Sequence, residues 1–372
     1  LRKRVTRTFR ERNQIVVSLL HSRVKLKIVM RLFFIFCLAA SLFGCKKQEE
    51  NSFQSNKFES DNFELVKLGD GLYSCIHKFG GKAICNVGIV DNGNETIIFD
   101  TFLSPNVAAE LIETIEDLDL SPVKFVVNSH SHNDHIRGNQ AFPDDIKIIS
   151  TTRTMELIEE WEPQDIADEK KYAPLRLAHY DSLNRAFTGD ESSREYQQIL
   201  MWKPYYEILS NSHLEIETRL PDTFVDSIQH FDGPDRKITL LSKGPGHTES
   251  DLIMHLPDDK VVFTGDLVFN ECHPYVPHGN ISKWKTWLDF INSLDAETVV
   301  PGHGDIGSNE LIDRMKSYLL DLEFSAQYLV DENRSVESID SISPPKKYKD
   351  WYFDRFYAAN LRFAFTEGRK KN

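Results

Sequence analysis

Residues 128–135, "NSHSHNDH", place three histidines and an aspartate within six positions, directly after the apolar run "KFVV". Imidazole nitrogens and a carboxylate at this density are donors suited to a divalent transition metal. Side chains two apart on an extended chain project to the same side, so His130 and His132 can reach one cation from the end of a strand. Asp134 and His135 fall where the chain must turn and can face a neighbouring position. Three more metal-capable side chains lie far away in sequence: His247 in "GPGHTESD", Asp266 in "FTGD" and His303 in "PGHGD". Each follows a short strand-like run ("KITLL", "VVF" and "TVV"), where loops gather into a site.

The elements that must position these residues can be read from periodicity. "FELVKL", "LYSCIH", "AICNVGIV" and "TIIFD" are strand-like runs separated by Gly and Asn, which predicts an antiparallel start. Ser104 and Pro105 form a helix start leading into "NVAAELIETIEDL". The strands "KFVV" and "KIIS" bracket the histidine-rich segment. A helical stretch over about residues 152–220 is too long for an ordinary connection and reads as an insertion. Its Trp161, Tyr172, Trp202, Tyr205 and Tyr206 either wall a site or pack the insertion on the core. Strands resume with "KITLL", "LIMHL" and "VVFTG", followed by a helix around "WKTWLDFINSL" and the strand "TVV". The chain from 311 onward is helical, with a polar break at "ENRSVESIDSISPP". Two strand-rich stretches, each joined to helices, fit a two-sheet core.

These motifs, in this order, resemble those of the metallo-β-lactamase superfamily of metal-dependent hydrolases over about residues 63–310. The resemblance implies an α/β (α+β) fold, a four-layer αββα sandwich, and two zinc ions per chain. On that pattern His130, His132 and His247 would bind one metal and Asp134, His135 and His303 the second. Asp266 would bridge them, and Asp100, ending "TIIFD", would orient a ligand histidine. A hydroxide shared by two such cations forms at neutral pH, because the pKa of bound water falls from 15.7 towards about 7. Asp134 would orient it or pass on its proton. The implied activity is hydrolysis of a small carbonyl compound: a β-lactam, lactone, ester or thioester. One branch of the β-lactamases has a cysteine at the place of Asp266, and similar lactonases have a tyrosine where this chain has Phe269. Two alternatives share the scaffold: a persulfide dioxygenase with a single iron held by His130, His247 and Asp266, and a non-catalytic zinc-binding lipoprotein.

Of the remaining histidines, His77, His179, His213, His230 and His255 are expected to be structural or superficial. His273, Tyr275, His278 and Asn280 are expected as loop residues, with pocket lining as the alternative.

The first methionine is Met30, and residues 1–29 read as an upstream extension. Arg31 and the apolar run "LFFIFCLAASLF" then lead to Gly44 and Cys45. The run is too short to span a bilayer but suits a signal peptide, and "LFGC" resembles the lipobox of bacterial lipoproteins. The expectation is export, with a lipid anchor at Cys45 on the periplasmic or cell-surface face of a bacterial membrane. Residues 1–44 would be extension and signal peptide, 45–62 a polar tether, 63–310 the hydrolase domain, and 311–372 a helical extension packed on it. Residues 1–44 hold ten Lys/Arg and one acidic residue, which leaves 34 basic against 56 acidic and a formal charge of −22 for residues 45–372. Such a surface repels phosphate backbones, so the expected partner is a small molecule and not nucleic acid. Cys75 and Cys85 flank the turn "FGGK" and are expected as buried thiols, a cross-strand disulfide being the alternative.

Overall fold

Largely apolar strands with no alternation need both faces covered, and "TIIF" and "LIMHL", buried at every position, are of this kind. In the computed structural model, which describes residues 60–370, two stacked sheets meet that need. The expected signal peptide, the lipobox with Cys45, and the tether as far as residue 59 lie outside the described residues. The first sheet has seven strands in sequence order: β1 (Phe63–Gly69), β2 (Leu72–His77), β3 (Val87–Asp91), β4 (Thr96–Phe99), β5 (Val123–Val127), β6 (Lys147–Ser150) and β7 (Thr223–Phe224). The second contains β8 (Ile228–Asp232), β9 (Lys237–Ser242), β10 (Leu252–Leu256), β11 (Val261–Phe263) and β12 (Thr298–Val300), ordered β12-β11-β10-β9-β8. The helices are α1 (Pro105–Glu116), the short α2 (Asn133–Ile136), α3 (Thr152–Ala186), α4 (Arg194–Glu215), α5 (Ile281–Asn292), α6 (Glu310–Asp331) and α7 (Phe356–Lys370).

Period-two alternation sorts the side chains into layers. From β4, Ile97 and Phe99 enter the core between the sheets, together with Leu252, Met254 and Leu256 of β10. Ile98 faces the other way, into a core shared with Val107, Leu111 and Ile115 of α1. Ile253 likewise turns outward to Trp284 and Leu288 of α5 and Met315 of α6. Helix, sheet, sheet and helix thus stack as an α/β (α+β) four-layer αββα sandwich. Tyr357, Leu361 and Phe365 of α7 share the core of α5 and α6.

Strand direction determines where a site can form. β4, β5 and β6 run parallel, as do β11 and β12, while β9 joins β11 through the antiparallel β10. Their carboxyl ends therefore share one edge of each sheet. The two edges are tied together: Leu252 N–H donates to Ser129 O at 2.8 Å, and Asn86 N–H donates to Gly302 O at 2.8 Å.

Some details depart from expectation. The insertion forms two long helices, α3 and α4, with Pro163, Pro174 and Pro204 inside them. β7 and β8 escape sequence reading because one is two residues long and the other, "IQHFD", is a mostly exposed edge strand without alternation. Cys75 and Cys85, by contrast, are the buried free thiols that were expected, and Cys272 is a third.

Candidate metal centre

Each chemistry-bearing side chain sits just past a strand end. β4 runs into Asp100, and β5 into His130 and His132. The single turn of α2 carries Asp134 and His135. The loop after β9 carries His247, the tight turn Gly265–Leu267 after β11 carries Asp266, and the loop after β12 carries His303. Gly302 is required here: a Cβ on it would fall 2.0 Å from Asp266 Oδ1.

The seven residues converge as two sets. In the first, His132 Nδ1 lies 3.0 Å from both His130 Nε2 and His247 Nε2. Asp266 Oδ2 lies 3.3 Å from His247 Nε2 and 3.7 Å from His130 Nε2. In the second, Asp134 Oδ2 lies 3.2 Å from His303 Nε2 and 3.6 Å from His135 Nε2. Asp266 Oδ1 completes that set, 3.2 Å from His135 Nε2 and 3.4 Å from His303 Nε2. Tetrahedral ligands about 2.0–2.1 Å from a zinc ion stand roughly 3.4 Å apart, so both sets have the spacing of a coordination shell. His135 Nε2 and Asp266 Oδ1 are buried and have no hydrogen-bond partner. Buried polar atoms are normally paired, and these two fit lone pairs directed at a cation.

Neighbouring groups hold the rings in the matching tautomers. Asp100 Oδ2 receives His135 Nδ1–H at 2.8 Å. The same carboxylate accepts from Ser129 N–H at 2.7 Å and Ser129 Oγ–H at 2.8 Å, and Ser129 Oγ in turn accepts from His130 Nδ1–H at 2.9 Å. One buried aspartate therefore orients a ring of each set. His303 Nδ1–H donates to Ile84 O at 3.0 Å. Ile84 has φ 68°, a left-handed conformation that costs a β-branched residue of order 1–3 kcal/mol. Orienting partners of this kind typically contribute 10–100-fold to metal affinity. Asp100→Asn is accordingly expected to weaken binding of a divalent metal at these sets about 10–100-fold, measured by chelator competition, with the far-UV spectrum unchanged.

Burial pushes His130 and His132 well below the ordinary histidine range and so favours the neutral form, in which an imidazole can bind a metal. At His303 burial acts in the same direction, but the Asp266 and Asp134 carboxylates outweigh it and lift the pKa to about 9. Burial opposes the charge of Asp134, yet His135 and the hydrogen bond from His303 hold it down to about 2. Cation binding would expel the protons stored on these rings.

A cavity of about 400 Å³ opens on the second set, with Asp134, Asp266 and His303 in its floor. Trp161, Tyr172, Tyr205 and Tyr206 of the insertion wall it, whereas Trp202 packs into the core. Phe353 and Phe356 supply a wall from the C-terminal extension. Phe269 lies parallel to the His303 ring, with centroids 5.3 Å apart. Tyr275 and His278 line the cavity, which sequence reasoning gave only as the alternative. His278 Nδ1 accepts from His132 Nε2–H at 2.9 Å across 146 residues, a pairing with no local signal. His273 is instead buried against Tyr318 and Tyr348, and Asn280 caps α5. His179, His213, His230 and His255 are not lining residues of the cavity, and neither is His77, whose Nδ1 accepts from the N–H of the lining residue Ile84 at 2.9 Å.

Sequence reading also missed an ion cluster behind the wall. Arg137, two residues after His135, donates to Glu162 at 3.0 and 3.1 Å and to Glu169 at 2.9 and 3.0 Å. The two glutamates lie seven apart and so share one face of α3. Only that spacing could have indicated them.

A sequence model of the metallo-β-lactamase superfamily matches residues 80–303. The chain is 23% identical over 241 residues to the metallo-β-lactamase type 2 of Bacillus cereus, covering 63% of this chain and 73% of that protein. It is 22% identical over 293 residues to the metallo-β-lactamase type 2 of Bacteroides fragilis, covering 76% and 94%. Among solved structures, the DIM-1 metallo-β-lactamase exposed to ceftazidime superposes with a TM-score of 0.50 at 18% identity, covering 71% of this chain and 99% of that one. The metallo-β-lactamase from Pontibacter korlensis gives a TM-score of 0.49 at 18% identity, covering 70% and 99%.

Proposed function

Because this chain belongs to the metallo-β-lactamase superfamily, we propose that it is a two-zinc hydrolase of a small carbonyl compound: a β-lactam, lactone, ester or thioester. The observation that carries this reading is the division of Asp266 between the two ligand sets, one oxygen to each. Two cations held there would supply a Lewis acid for the carbonyl oxygen and a water acidic enough to lose its proton near neutral pH. His130, His132, His247 and Asp266 Oδ2 would hold one, and Asp134, His135, His303 and Asp266 Oδ1 the other. Asp134 Oδ2 lies at the cavity floor beside His303 Nε2, where it can orient a water and accept its proton. The aromatic walls keep bulk solvent from the reacting carbonyl and strengthen every charge interaction beneath it.

The test is metal content and turnover on the purified protein. Two zinc ions per chain are expected, with hydrolysis of at least one member of a β-lactam, lactone, ester and thioester panel, and loss of that activity in His130→Ala. One iron per chain with oxygen consumption would replace this reading with the dioxygenase. Bound zinc without turnover of any panel member would leave a non-catalytic binding protein.

A further inference from the structure

The charges around the cavity are one-sided. Glu162, Asp165 and Glu169 lie within two turns on one helix, and Arg137 is the cation that faces them. Asp165 and Glu169 belong to the cavity wall, which contains no lysine or arginine among the described residues. Asp165 makes no ion pair or hydrogen bond to a described residue, and burial together with the charges of Glu162 and Glu169 raises its pKa to about 6. That wall therefore carries more negative charge than its own side chains neutralise. Trp161, Tyr172 and Tyr275 line the same space, and the quadrupoles of aromatic rings also attract cations. Phe269, Phe353 and Phe356 line it too and are wholly apolar. A further feature points to a ligand independently. Ser131, between the two histidines of H-x-H, is only 5% exposed and lines the cavity, yet its hydroxyl has no hydrogen-bond partner. A buried hydroxyl without a partner costs about 1–3 kcal/mol unless something satisfies it.

We propose that this cavity selects carbonyl substrates bearing a quaternary or protonated amine. The ammonium group lies among Asp165, Trp161, Tyr172 and Tyr275, an apolar body rests on the phenylalanines, and a polar atom of the substrate meets Ser131 Oγ. A substrate carboxylate on this wall would meet its acidic residues and no lysine or arginine, so only the cations proposed for the cavity floor would attract an anionic compound. This assignment of substrate class rests on the hydrolase reading above.

Three p-nitrophenyl esters of equal acyl length, ending in trimethylammonium, its neutral isostere tert-butyl, or carboxylate, test the proposal on the zinc-loaded protein. The expected kcat/KM for the ammonium ester is at least about tenfold above the neutral ester and about a hundredfold above the carboxylate. Asp165→Asn should lower the ammonium-to-neutral ratio at least about threefold. Equal rates on all three, or a preference for the carboxylate, overturn the proposal while leaving hydrolysis intact. A parallel calorimetric measurement compares benzyltrimethylammonium with phenylacetate. Tighter binding of the cation with no ester turnover would uphold the cavity assignment and remove esters from the substrate panel. Failure to bind the cation more tightly than the anion refutes the assignment itself.

Discussion

Asp266→Asn is expected to lower kcat/KM of the proposed hydrolase by about 10³-fold, equivalent to roughly 4 kcal/mol of transition-state stabilisation, and to reduce the metal content below the proposed two zinc ions per chain. Asparagine keeps the shape of the side chain but offers one oxygen in place of two, and its amide nitrogen donates where a cation needs a lone pair. It can therefore serve one ligand set and not both. The substitution also removes a negative charge from a site that would hold two dications, leaving Asp134 as the other carboxylate in contact with them. In the metal-free site, burial works against the Asp266 charge, yet His303, His135 and His130 hold its carboxyl well below the usual range, a sign of how much positive charge converges there. The longer Asp266→Glu offers no repair, because the carboxylate already lies against the backbone at Gly302. Two zinc ions per Asp266→Asn chain by atomic emission, with kcat/KM within about tenfold of the parent, would remove Asp266 from the centre of the mechanism.

Arg137→Met is expected to cost about 3–5 kcal/mol of folding stability, which in a domain of this size corresponds to a fall in Tm of roughly 5–8 °C. The guanidinium is fully buried, and Glu162 and Glu169 are each 2% exposed. Without Arg137, two carboxylates would face low dielectric with no countercharge. Burial already raises the Glu162 pKa with the arginine in place, and removal of the arginine would raise it further above its unfolded value. Groups whose folded pKa exceeds the unfolded one penalise the native state above the folded pKa, and the penalty fades as pH falls towards the unfolded value. The stability difference between parent and variant should therefore be larger at pH 7.5 than at pH 5.5. Denaturant melts of the zinc-loaded proteins at both pH values check this. Adding Glu162→Gln and Glu169→Gln to Arg137→Met should recover part of the loss. A single variant as stable as the parent at pH 7.5 would mean that water reaches the cluster. Because Asn133 also donates to Glu169, at 3.1 Å, the cluster ties α3 to the turn that carries Asp134 and His135. Its loss should loosen the insertion wall as well.

Much of the architecture was legible because its signals are local. "LYSCIH", "KIIS", "LIMHL" and "TVV" match their strands residue for residue. Apolar residues at helical spacing placed α1 and α5. The candidate donors were legible for a chemical reason: few residue types can ligate a transition metal, and seven of them stand just beyond strand ends. Arg137, Glu162 and Glu169 escaped because arginine and glutamate are ordinary surface residues in any sequence, and only burial shows these to be otherwise. His278 escaped because its partner, His132, lies 146 residues away. Phe353 and Phe356 escaped because they lie in the C-terminal extension, far in sequence from the metal-capable residues, and only the fold brings them to the cavity wall.

The amino-acid sequence by itself determined which side chains can donate to a metal and which segments must extend or coil, since ligand chemistry and backbone period are properties of residues and their near neighbours. The tertiary structure alone decided that Asp266 faces both ligand sets, that Asp100 stands behind a ring of each, and that the cavity is aromatic and acidic. These are relations between strand ends brought together by sheet order and strand direction, and they depend on which elements pack side by side, information that no local run of residues contains.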